Sequence, residues 1–148
     1  IADIVVETSE LKGVTVPASI APRMIDEYPI LAVAAACASG TTRMLGLQEL
    51  RVKESDRLAA MANGLKACGV TVEETSDSLT VHGSGGQIEG GARIQTQLDH
   101  RIAMSFLTLG LKAKNPISID NGTTINTSFP GFVETMKSLG ANLNFSDR

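Results

Sequence analysis

The chain has 148 residues, of which 43% are hydrophobic, 20% charged and only 3% aromatic, and it carries a net charge of -3 at neutral pH. That length suffices to bury one ordinary core, which must be built from Leu, Ile, Val, Ala and Met. The slight acidic excess excludes a bulk electrostatic case for nucleic acid or for an anionic membrane, so any anion must be met by a local cluster. Cys37 and Cys68 lie in apolar, helix-like stretches and read as reduced core residues rather than as a metal or disulfide pair. The longest apolar run, Ile30 to Ala38, is too short to cross a bilayer. No signal peptide is visible, and the expected location is cytoplasmic. The chain opens on Ile1 rather than Met, and Ile4 to Val6 already reads as a strand, so a piece of a longer chain is expected.

Val14 to Val16 looks extended. Asp26 to Ala38 reads as a helix with Pro29 in its first turn, where a missing N–H costs little, and with Gly40 as its stop. Thr41 to Leu47 reads as a strand. Ser55 to Ala67 is an amphipathic helix, with Leu58, Met61, Ala62 and Leu65 at helical spacing and Gly69 as its stop. Val70 to Glu74 and Ser78 to His82 alternate like strands, joined by a turn at Thr75-Ser76-Asp77. Gly83 to Gly91 reads as a glycine-rich connection. Ala92 to Leu98 and Ile117 to Asp120 are strand-like, Asp99 to Ala113 and Phe129 to Leu139 helix-like, and Ala141 to Phe145 strand-like.

The order of elements recurs. Ile25-Asp26 opens one long helix and Leu98-Asp99 another, while Gly64 to Val70 and Thr135 to Ala141 close two others in similar words. The interval is about 70 residues in both comparisons, the mark of a structural repeat. The expectation is an α/β chain of two roughly βαβαβ units, about 14–83 and 92–148, forming a single partial domain over 1–148.

Two helix starts carry charge that helix formation does not require. Arg51-Val52-Lys53-Glu54-Ser55-Asp56-Arg57 places five charges in seven residues. Ser55 suits a cap and Asp56 a first turn. Cations at a helix N-terminus oppose the dipole unless an anion lies between them, which marks Arg51, Lys53 and Arg57 as an anion site. Asp99-His100-Arg101 repeats the theme: Asp99 suits a cap, which needs neither His100 nor Arg101. If the helices run parallel, Asp26, Glu54, Arg57, His100 and Arg101 lie along one rim, where carboxylates beside guanidiniums suit proton transfer next to a bound anion. No dinucleotide fingerprint, P-loop, nucleophile elbow or basic-aromatic patch is present.

These stretches resemble a known family. Leu50 to Leu58 and Leu98 to Ser105 are similar to two signatures of the EPSP synthases. Met24 to Pro29 resembles the segment that holds that family's catalytic aspartate, and Thr127-Ser128-Phe129-Pro130 its final helix start. The similarity runs along essentially the whole chain, and is nearest the glyphosate-tolerant, class II bacterial branch. It implies βαβαββ units with helices inside and sheets outside, in an inside-out α/β barrel, of which this chain holds about two of the three units of a C-terminal domain. It implies transfer of the enolpyruvyl group of phosphoenolpyruvate to the 5-hydroxyl of shikimate 3-phosphate through a tetrahedral intermediate, releasing phosphate. No metal or organic cofactor is implied, and no nucleic acid or membrane partner. By residue match, Asp26 contacts the sugar hydroxyls and accepts a proton, Lys53 meets shikimate 3-phosphate, Glu54 is an acid/base for the methylene, and Arg57 and Arg101 bind phosphoenolpyruvate, or the inhibitor glyphosate. His100 is a neighbouring catalytic candidate. Many members have a lysine where this chain has Thr127. The other domain of the active site is expected outside this chain, so the chain alone is expected to be inactive and monomeric. Two other readings stay open: a related enolpyruvyl transferase acting on a UDP-sugar, and a non-catalytic module that binds a partner chain.

Overall fold

The computed structural model describes residues 2–145; Ile1 and the last three residues of the second expected unit lie outside them. The chain folds as a mixed α/β structure. Its first sheet is built from β1 (Thr15–Val16), β2 (Ser39–Leu45), β3 (Thr71–Glu74) and β4 (Ser78–Ser84), in the order β1-β2-β4-β3. β1 runs parallel to β2, with Thr15 opposite Arg43, and β4 is antiparallel to both β2 and β3. Between β1 and β2 lie the short helix α1 (Ala21–Met24), a 3-10 turn at Ile25–Glu27 and α2 (Tyr28–Cys37). Between β2 and β3 lie a 3-10 segment at Gln48–Val52 and α3 (Arg57–Ala67).

The second region contains β5 (Ile88–Gly90), β6 (Arg93–Ile94), α4 (His100–Gly110), β7 (Ala113–Asn115), β8 (Ser118–Ile119), a 3-10 segment at Thr123–Thr127 and α5 (Phe132–Ser138). Here β5 pairs with β7 and β6 with β8, both parallel. The register echoes the first region: Thr15 faces Arg43 across the crossover that holds α2, and Arg93 faces Ser118 across the crossover that holds α4.

Side-chain patterning explains the layers. α2 is apolar almost all round, the pattern of a helix buried on every side, and Tyr28, Pro29, Ala32, Val33, Ala35 and Ala36 are indeed buried. It packs on β4, α3 and α4, while α3 packs on β3 and α4. Along β2 and β4 the inward residues alternate, Thr42 and Met44 with Leu79 and Val81, as a one-sided sheet requires. Helices thus fill the inside and the sheet faces out. One core cluster runs from Val16 through Leu65 and Val81 to Phe106 and Leu109, so both regions share it. α3 and α4 approach so closely that a Cβ on Gly64 would lie 2.1 Å from Cζ of Phe106. A smaller cluster of Ala103, Ile125 and Phe132 supports α5.

Four expectations need correction. Ile4 to Val6 form no strand: they are 83–87% exposed and pair with no described strand. Ala141 to Phe145 likewise alternate without a partner strand and stay irregular. Gly83 to Gly91 is not only a connection, since it carries the end of β4 and all of β5. Ile88 is buried there, and Gly90, at φ 67°, lies where a Cβ would be 2.3 Å from the Asn115 carbonyl oxygen. The helix expected from Asp26 starts at Tyr28 and ends at Cys37, because Ala38 is already extended and Gly40, at φ 88°, belongs to β2.

Candidate active site

The site forms where the starts of α3 and α4 meet the 3-10 turn before α2. Asp56 caps α3, its carboxylate accepting from the Ala59 N–H at 2.9 Å. Ser55, expected as that cap, instead donates to Asp99 Oδ2 at 3.0 Å. Asp99 caps α4 as expected, with Oδ1 accepting from the N–H groups of Arg101 at 2.9 Å and Ile102 at 3.4 Å.

Arg57 is the hub. Its side chain is 1% exposed, and its Nε donates to Asp99 Oδ2 at 2.7 Å. Its Nη1 donates to Asp26 Oδ1 at 2.8 Å and its Nη2 to Glu54 Oε2 at 2.5 Å. Asp26 and Glu54 are half-exposed, so this edge of the guanidinium looks toward the surface while Nε looks inward. Burial pushes the Asp99 carboxyl up, but the Arg57 guanidinium, the Ser55 hydroxyl and the Arg101 N–H outweigh it and hold it below the ordinary carboxylate range. Burial disfavours the charge on Arg57 too, yet Asp99, Glu54 and Asp26 more than offset it, so the guanidinium stays charged.

Two further cations complete the rim. Lys53 Nζ lies 2.7 Å from Glu49 Oε1 and 3.7 Å from Asp26 Oδ1, and the bond to Glu49 raises its pKa. Arg101 Nη1 donates to the backbone carbonyl of Asp26 at 2.9 Å and to Glu27 Oε1 at 3.0 Å. Asp26 is therefore the point at which Lys53, Arg57 and Arg101 converge. It does not cap α2, whose N-cap is Glu27 with no side-chain bond. Of the residues singled out in the sequence, Asp26, Lys53, Glu54, Arg57 and Arg101 form one connected network. His100 opens α4, half-buried beside Asp99, outside the side-chain hydrogen bonds of the described residues.

Arg51 departs from its expected role. It donates to Asp56, to Glu74 and to the carbonyl of Ser76, tying the α3 start to the turn between β3 and β4. Its charge is satisfied by structure, away from the rim. Thr127 ends its 3-10 segment exposed, donating to the Thr124 carbonyl.

Sequence reasoning missed one support. Thr96, fully buried, donates through both N–H and Oγ1 to Asp120 Oδ1, at 2.9 and 2.7 Å. Asp99 N–H closes a turn onto the Thr96 carbonyl at 2.9 Å. The two residues inside it, Gln97 and Leu98, have φ of 53° and 60°, a left-handed conformation that L residues adopt rarely. The period-two register of Ile94 and Thr96 was the available signal, since it turns Thr96 inward with Ile94.

The arrangement offers three cations at one rim, fronted by two half-exposed carboxylates and anchored by a buried third. Such an arrangement is chemically suited to an anion whose oxygens would replace those of the carboxylates, beside groups able to accept or deliver a proton. Among the described residues, no group of three or more His, Cys, Asp or Glu side chains is placed to hold a metal ion, and no helix is long and apolar enough to cross a membrane.

The chain is similar to known enzymes along most of its length. A family model described as EPSP synthase (3-phosphoshikimate 1-carboxyvinyltransferase) matches residues 1–136. The 3-phosphoshikimate 1-carboxyvinyltransferase of Paramagnetospirillum magneticum is 63% identical over 97% of this chain, and that of Rhodospirillum rubrum 60% over the same share; the chain spans 32% of the length of each. The structure of EPSP synthase from Acinetobacter baumannii superposes with a TM-score of 0.88 at 43% identity, covering 93% of this chain and 32% of that one. The enolpyruvyl transferase NikO from Streptomyces tendae, at 21% identity and a TM-score of 0.70, shares the fold. With both signature runs present and meeting at one site, the chain belongs to the EPSP synthase family.

Proposed function

We propose that the protein containing this chain transfers the enolpyruvyl group of phosphoenolpyruvate to the 5-hydroxyl of shikimate 3-phosphate. The observation that carries this reading is the convergence of Lys53, Arg57 and Arg101 on Asp26, with Glu54 bonded to the same guanidinium. Arg57 and Arg101 bind the carboxylate and phosphate of phosphoenolpyruvate, each planar fork suited to two oxygens. Asp26 and Glu54 yield their places on Arg57 to that ligand. Lys53 meets shikimate 3-phosphate. Asp26 accepts the proton of the 5-hydroxyl as its oxygen attacks the enol carbon, and Glu54 delivers a proton to the methylene, giving a tetrahedral intermediate. Departure of phosphate, which takes up the proton held on Asp26, and return of a methyl proton to Glu54 complete the transfer, with His100 at the edge of the site. Glyphosate, an anion with both carboxylate and phosphonate groups, competes for the same arginines.

The chain spans about a third of its relatives' length, so the rest of the cleft comes from a further domain, and this chain alone turns over little or nothing. The whole enzyme works as a cytoplasmic monomer without nucleic acid or membrane partners.

The test is a chimera in which this chain replaces the matching segment of the Paramagnetospirillum magneticum relative. Phosphate release is expected with phosphoenolpyruvate and shikimate 3-phosphate. Release with UDP-N-acetylglucosamine instead, or with neither acceptor, sinks the reading.

A further inference from the structure

We propose that Asp99 is a positioning residue for phosphoenolpyruvate binding, holding Arg57 and Arg101 in mutual register without touching the ligand. The proposal rests on the function proposed above and adds a residue to it.

The two oxygens of Asp99 have separate tasks. Oδ2 accepts from Arg57 Nε at 2.7 Å and from Ser55 Oγ at 3.0 Å. Oδ1 accepts from the N–H groups of Arg101 and Ile102, so it fixes the first turn of the helix that carries Arg101. A guanidinium is planar, so anchoring Nε sets the direction of both Nη atoms. Those atoms point to Asp26 and Glu54, the half-exposed edge where a ligand arrives. Asp99 is fully buried, behind Arg57 as seen from that edge. One carboxylate therefore spans the two signature runs, and it does so from a fixed place. The left-handed turn before it is closed by its own N–H on the Thr96 carbonyl, and Thr96 is held in turn by Asp120. A backbone in a sparsely populated conformation persists only where its surroundings over-determine it, and here the two clamps do so on either side of the turn.

Asp99→Asn separates positioning from capping. The remaining carbonyl oxygen still serves the Arg101 and Ile102 N–H groups, while the new NH₂ faces Arg57 Nε, donor against donor. Arg57 then loses its inward anchor and α4 keeps its cap. In the chimera, Asp99→Asn is expected to raise KM for phosphoenolpyruvate by about tenfold or more, the scale of one hydrogen bond between charged groups. KM for shikimate 3-phosphate is expected to stay unchanged. Ser55→Ala, which keeps the ion pair and removes only the hydroxyl bond, shifts the same constant less and covers the case in which Asp99→Asn fails to fold. Leu109→Val, a core change in α4 away from the site, lowers the melting temperature without moving either KM. Calorimetric titration with phosphoenolpyruvate gives the same comparison as an affinity and needs no turnover. If the unmodified chimera binds phosphoenolpyruvate yet releases no phosphate, the proposed reaction fails and the affinities still decide the role of Asp99. Wild-type affinity in both the Asp99 and Ser55 variants overturns the proposal. So does an equal loss in Leu109→Val, which reduces the effect to general destabilisation.

Discussion

The C-terminal ends of α3 and α5 are written in nearly the same words and are capped in the same way, yet they are packed in opposite ways. Gly69 and Gly140 both take a left-handed φ, 85° and 96°. The Gly69 N–H donates to the Lys66 carbonyl and that of Val70 to Leu65; the Gly140 N–H donates to Lys137 and that of Ala141 to Met136. These are the paired bonds of a glycine-terminated helix. The residue before each glycine then parts company with its counterpart: Cys68 is fully buried, whereas Leu139 is 78% exposed. What differs is the following segment. After Gly69 the chain forms β3 and β4, which cover α3. After Gly140 no described residue forms a strand. The cap is a local property and repeats with the sequence, whereas burial depends on what returns to cover the helix. The candidate site lies on the well-covered side of this contrast, where α2, α3 and α4 share one core.

The largest expected break in that contrast is Leu65→Ala. Leu65 is fully buried in the shared core, and Met136, its counterpart, is half-buried against the small cluster under α5. Removing a buried Leu side chain costs about 2–5 kcal/mol when the cavity cannot collapse. Met136→Ala is expected to cost only about 1 kcal/mol. Urea unfolding of the two variants measures both; equal losses would show that the described packing of α3 and α5 is wrong.

Acid sharpens the same comparison, because the ionised Asp99 sits where the two regions join. Its folded pKa is depressed below the ordinary 3.8 by Arg57, Ser55 and the Arg101 N–H, acting against burial. A depressed carboxylate stabilises the fold fully above its unfolded pKa, and that contribution is lost as pH falls through the folded value. Asp120, which burial pushes up but the hydrogen bonds from Thr96 and nearby backbone N–H groups together pull below the ordinary value, acts with the same sign. Stability is therefore expected to be flat in this respect above about pH 5 and to fall from pH 4 downward. Asp99→Asn should flatten the part of that fall due to Asp99. An acid profile with the same slope in wild type and variant would remove Asp99 from the account. By contrast, Cys68, whose thiol burial pushes up to about 11, stays neutral through this range.

Much of this was legible in the sequence, and the residues that were not share a cause. Helical spacing points to α3, the recurring order of elements to α4, alternation to β3 and β4, and charge at two helix starts to Lys53, Arg57 and Arg101. Asp56 rather than the expected Ser55 caps α3, since both are good caps and only the position of Asp99, distant in sequence, decides between them. Arg51 has the same local surroundings as Lys53, but the turn between β3 and β4 reaches it first. Ile4 to Val6 and Ala141 to Phe145 carry strand patterns, and a strand exists only where an edge receives it. In each case the local sequence is permissive and a tertiary partner makes the choice.

The smallest expected effect tests that principle most directly. Leu139→Ser changes an exposed side chain, and the cap beside it is made by backbone groups and by Gly140, so the helix end should survive. Stability should move by no more than about 0.5 kcal/mol, with unchanged far-ultraviolet circular dichroism. Cys68→Ser places a hydroxyl in a buried apolar site beside an identical cap, and about 1–3 kcal/mol is expected to be lost for want of a partner. A loss at Leu139 as large as that at Cys68 would mean that Leu139 is covered in solution, and that the repeat extends from the caps to the packing.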